Sequence, residues 1–114
     1  MSNDMLESIE ISIEQAEQLI AKKEALTRLT ANPDFKSLVL EGYFKEEASR
    51  LVLLKPDPSL QGDSDQKTIS KSIDAIGYVR QYLNTIMQMG ITAERTLYQD
   101  KQTREELLAE QAGE

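Results

Sequence analysis

Apolar residues recur along most of this chain at alternating steps of three and four, the period of an α-helix that buries one stripe. Leu6, Ile9, Ile13, Ala16 and Ile20 form the first such stripe. Glu7, Glu10, Glu14 and Glu17 repeat the spacing one position on, so the helix carries an acidic flank beside its apolar face. Acidic early turns also suit the positive end of the helix dipole. Past Ile20 the continuing positions fall to Lys23 and Thr27, while Leu19, Leu26 and Leu29 form a neighbouring row. The seam is expected to stutter or change partner there, within a helix over about 3–30.

"TANPD" marks a stop and a restart: Asn32 can cap, Pro33 suits the first helical position, and Asp34 adds charge to the first turn. The second predicted helix covers about 33–54. Its apolar residues Phe35, Val39, Leu40, Tyr43, Phe44, Ala48, Leu51 and Val52 make a broad face suited to packing against two other helices. Gly42 costs this helix about 1 kcal/mol relative to Ala, and marks either a break or a close crossing. By local propensity "RLVLL" also fits a strand. "KPDPSLQGDSD", 55–65, reads as an exposed loop, because Pro56 and Pro58 cannot continue a helix.

Ser64 or Asp65 then caps a third helix over about 66–98, with a seam of Ile69, Ile73, Ile76, Val79, Leu83, Ile86, Gly90, Ala93 and Leu97. At 1.5 Å per residue this stripe runs for roughly 45 Å, longer than a compact domain of this size is wide. Gly90 and Ala93 mark either a close helix approach or a weak point. Beyond Tyr98 the stripe dissolves into a charged tail, 99–114, that is frayed or helical only against a partner. Together these elements predict an all-α protein of one domain, an elongated helical hairpin or three-helix bundle with coiled-coil-like seams.

Composition sharpens this picture. With 5% aromatic residues and no Trp among 114, the core must be aliphatic helix seams. The net charge of −7 speaks against a nucleic-acid partner, since phosphate binding needs concentrated Lys and Arg. Acidity keeps helices dispersed, and it also fits a basic protein partner or nucleic-acid mimicry. The chain has neither Cys nor His, which removes thiol nucleophiles, disulfides, imidazole bases and the usual transition-metal ligands. No segment approaches the roughly 20 apolar residues of a membrane span, and the acidic start is unlike a signal peptide, so a cytoplasmic location is expected.

The nearest approach to a catalytic cluster is Glu41, Glu46 and Glu47 close to Tyr43, with Arg50 one turn on. Helical ion pairing among Lys45, Glu46, Glu47 and Arg50 accounts for these residues better than acid–base work or cation binding does. "DPSLQGDSDQ" lacks the closing Glu and ligand spacing of a calcium loop. No enzyme, cofactor or metal site is therefore expected. The residues best suited to protein contact are Tyr43, Phe44, Tyr78, Tyr82 and Tyr98, together with the small pair Gly90 and Ala93; packing between the chain's own helices is the competing role. Met87 and Met89 straddle the third seam as gap fillers.

"ANPDFKSLVLEGYFKEEASRLVLL" followed by "KTISKSIDAIGYVRQYLNTIMQMG" resembles small helical proteins encoded among the structural genes of tailed bacteriophages, over Ala31 to Leu97. The resemblance implies a virion component or assembly factor, in the infected bacterial cytoplasm or in the virion. It would act in many copies, as a homo-oligomer and against a larger phage structural protein. Two alternatives stay open. An acidic inhibitor of a basic host protein needs the Glu row, Asp63 and Asp65 on one continuous face. A coiled-coil chaperone needs exposed apolar tips such as Leu53, Leu54 and Leu60.

Overall fold

The computed structural model describes residues 2–113. Among them there is no strand. Helix α1 is Ser2–Ala31, α2 is the single turn Pro33–Phe35, a π-helix covers Lys36–Glu47, α3 is Ala48–Leu54, a 3-10 turn covers Pro58–Leu60, and α4 is Asp63–Gly113. The protein is all-α, and "RLVLL" is helical within α3. No helix among the described residues is long and apolar enough to cross a membrane.

The chain forms two compact units, Met1–Leu26 with Thr85–Glu114 and Thr27–Asn84, where the hydrophobic pattern suggests one domain. Both long helices pass from one unit into the other, so a single stripe serves different packing partners along its length.

The first unit is an antiparallel pair made by α1 and the later part of α4. Glu10 pairs with Arg104, Ser12 donates to the Asp100 carboxylate, and Lys23 pairs with Glu94, so rising numbers on α1 meet falling numbers on α4. Ile13, Ala16, Leu26, Ala93 and Leu107 are buried between them. The α1 seam does not break at Lys23. Its aliphatic stem lies against Gly90, where a Cβ would meet the Lys23 Cβ at 2.3 Å, and its ammonium reaches Glu94 at 2.5 Å.

The charged segment 99–113 is α-helix rather than a separate tail. Its seam continues from Leu97 through Asp100, Arg104 and Leu107 at steps of three and four. Asp100 and Arg104 are answered by Ser12 and Glu10, and Leu107 is buried. The polar links hide the stripe from a reading of hydrophobicity. Glu114 lies outside the described residues.

In the second unit Leu51, Ile69 and Ile76 are buried, with Phe35, Leu40, Phe44, Leu54 and Ile73 half-buried around them. The Asn32 carboxamide accepts the backbone N–H groups of Asp34 at 2.9 Å and Phe35 at 3.1 Å, with Pro33 at the first helical position. That cap starts a helical run that continues unbroken to Leu54, wound in its middle with hydrogen bonds five residues apart. Such winding stacks residues four and five apart, the spacing of Phe35, Val39, Leu40, Phe44 and Ala48. Gly42 neither breaks the helix nor meets a neighbouring one. A Cβ there would lie 2.9 Å from the Ser37 carbonyl oxygen five residues back, so the π winding favours glycine at this place. Val52, assigned by periodicity to the broad face, is exposed, and Leu51 takes the buried place.

The connection to α4 is tied down rather than loose. Asp57 accepts from the backbone N–H of Ser59 at 2.9 Å and from its hydroxyl at 2.7 Å. Gln61 Nε2 donates to the carbonyls of Lys55 and Asp57, and Gln66 Nε2 donates to those of Lys55 and Leu60. These side chains tie the carbonyls of Lys55, Asp57 and Leu60 together across the break that Pro56 makes in the helix. Helix α4 begins at Asp63, so Ser64 and Asp65 lie inside its first turn instead of capping it.

Candidate association surfaces

The helix seams divide the residues suited to protein contact into two groups. Gly90 and Ala93 are buried in the first unit, and their smallness serves the approach of α1. Tyr43 and Phe44 lie half-buried in the π-helix, ring centres 5.9 Å apart and planes tilted by 43°. The other tyrosines face outward. Tyr78 and Tyr82 are 68% and 66% exposed one turn apart in the second unit, and Tyr98 is 66% exposed in the first. Tyr98 also accepts a hydrogen bond from Gln102 Nε2 at 3.1 Å. The five aromatic candidates are thus not gathered into one patch of either unit.

Two of the carboxylates near Tyr43, Glu41 and Glu47, are engaged in ion pairs. Lys45 reaches Glu41 at 3.2 Å, while Arg50 grips Glu47 with Nε at 2.9 Å and Nη2 at 2.5 Å. The guanidinium's hydrogen bonds hold the Glu47 carboxyl below its ordinary range, and Glu47 in turn raises Arg50. Of the three leucines proposed as apolar tips, Leu53 is 75% exposed while Leu54 and Leu60 are half-buried. The Glu row of α1 is exposed, but it belongs to the first unit and Asp63 and Asp65 to the second.

A further surface lies on one flank of the helix pair in the first unit. There α1 and α4 border a groove of about 340 Å³ floored by Ala16 and Ala93. Ser12, Gln15 and Leu19 form one edge, and Gln88, Met89, Thr92 and Thr96 the other. None of these side chains is ionisable. The opposite flank differs: Glu10 and Glu14 each stand two positions from Ser12, and Glu94 two from Thr92 and from Thr96, about 200° of helix rotation away. Hydrophobic periodicity does not mark this groove. The signal that does is uninterrupted neutrality, in Thr85, Met89, Thr92, Thr96, Gln99 and Thr103, which recur at steps of four and three.

No protein-family model matches this chain, and neither a curated protein nor a solved structure matches it significantly.

Proposed function

We propose that this protein works by helix-mediated association, without a reaction of its own, as a structural component or assembly factor of a bacteriophage particle. The observation that carries the associative part is the Tyr78–Tyr82 pair, two large amphipathic side chains left outside the second unit's core on one face of α4. Tyrosine combines a large apolar contact with a hydroxyl that tolerates either solvent or a partner, which suits a surface covered only in an assembly. The thin core agrees with this reading, since no side chain among the described residues is less than 2% exposed. The phage setting rests on the resemblance of Ala31–Leu97 to small helical virion proteins.

Sedimentation of the purified chain, alone and with lysate of infected cells, tests the proposal. The expected result is a large particle containing the chain, stable as salt rises, and absent for the double variant Tyr78→Ser, Tyr82→Ser. A chain that sediments unchanged beside infected-cell lysate refutes the proposal. The exposed Glu row supports the second reading, an acidic inhibitor. Capture of one basic host protein, lost as salt rises, selects that reading instead.

A further inference from the structure

We propose that the uncharged flank of the first unit, the groove over Ala16 and Ala93, is where a second copy of this chain docks, giving a two-fold homodimer with four helices in contact. The inference rests on the associative reading above and names a surface for it distinct from the tyrosine pair.

Charge selects the occupant. Two copies that each carry −7 repel wherever acidic residues face one another, and a neutral flank is the place where they meet without that cost. The groove supplies such a place, whereas three other grooves among the described residues carry Glu7 and Glu10, Glu94 and Arg95, or Asp63 and Asp74. A basic or acidic partner would gain nothing from a flank without charge.

Hydrogen-bonding chemistry makes the same choice. Gln15, Gln88, Thr92 and Thr96 each both donate and accept, so the patch is complementary to itself, as a two-fold interface requires. Leu19 and Met89 add apolar contact at the edges, and the alanine floor lets a helix approach closely.

Thr92 is exposed midway along the groove's α4 edge and is the position to change. Analytical ultracentrifugation of the full chain across concentration reads the dimer dissociation constant. Thr92→Glu and Thr92→Lys are each expected to raise it at least about tenfold, through like charges set opposite one another. An equimolar mixture of the two restores the dimer, which separates repulsion from misfolding. Tyr98→Glu, on the opposite flank, leaves the constant unchanged. A wild-type monomer at all concentrations overturns the inference. So does a dimer that survives Thr92→Glu but is lost in Tyr78→Ser, Tyr82→Ser, and that outcome leaves association itself standing. Failure of the variant pair to bind in infected-cell lysate while the groove dimer persists separates the two readings in the other direction.

Discussion

The two units hold their helices together by opposite means. In the first, side chains far apart in sequence meet across an antiparallel pair: Ser12 with Asp100, Glu10 with Arg104, and Lys23 over Gly90. In the second, the polar ties are local: Asn32 to the next turn, Asp57 to Ser59, and Gln61 and Gln66 to carbonyls at most 11 residues away. A long-range seam depends on close fit over its whole length. A locally tied unit depends on caps and turn chemistry, each worth about 1 kcal/mol.

That contrast breaks most severely at Gly90. Gly90→Leu is expected to destabilise the first unit by about 3 kcal/mol, because the new Cβ collides with the Lys23 Cβ, which is not a movable tip. Hydrogen exchange should show protection lost in 2–26 and 85–113 before it is lost in 33–84; a uniform loss means that the units unfold as one.

Gln66→Ala is the matching change in the second unit. The carbonyl of Leu60 loses its side-chain donor and that of Lys55 keeps only Gln61, at a cost of about 1 kcal/mol in denaturant unfolding. Asn32→Ala removes a cap and costs about 1 kcal/mol, whereas Asn32→Gly costs only a few tenths. Equal losses for the two variants would show that the side chain is not what starts α2.

Acid sharpens the comparison. The Ser59 hydroxyl, and after it the Ser59 backbone N–H, holds the Asp57 carboxyl below its ordinary 3.8. A carboxyl lowered in the folded state contributes its stability above the unfolded value and loses it as pH falls through the folded one. The stability difference between wild type and Asp57→Asn should therefore be constant near neutral pH, begin to shrink below about pH 4, and vanish only below the lowered folded value. Smallest of all, Arg104→Gln should cost about 0.5 kcal/mol or less, since its contact with Glu10 is a 3.4 Å pair in partial solvent, and added salt should erase the difference.

Where sequence and structure agree, a local rule carried the signal. Helix class followed from the three-four spacing of Leu6 to Ile20, and the restart at Asn32-Pro33 from capping chemistry. Where they part, the deciding contact was distant or neutral. Asp100 and Arg104 continue a seam only because Ser12 and Glu10 stand opposite, 88 and 94 positions away. The π winding of Lys36–Glu47 leaves only the four- and five-residue spacing of its apolar side chains as a trace. Of the candidate contact residues, Tyr78, Tyr82 and Tyr98 are exposed, while Gly90 and Ala93 are taken up by the chain's own packing. The neutral groove escaped hydrophobic periodicity because serine, threonine and glutamine have no hydropathy contrast with the charged flank.

The hydrogen bond between Ser12 and Asp100 also fixes an order of events during synthesis. Residues 27–84 are contiguous and can close their own short loops as soon as they emerge. The first 26 residues emerge earlier still, yet must wait with Ile13 and Ala16 uncovered until α4 has been made as far as Leu107. An interruption between Asn84 and Leu107 therefore bears on the first unit alone: a chain stopped near Leu97 has a finished middle and an opening helix lacking part of the surface against which it packs.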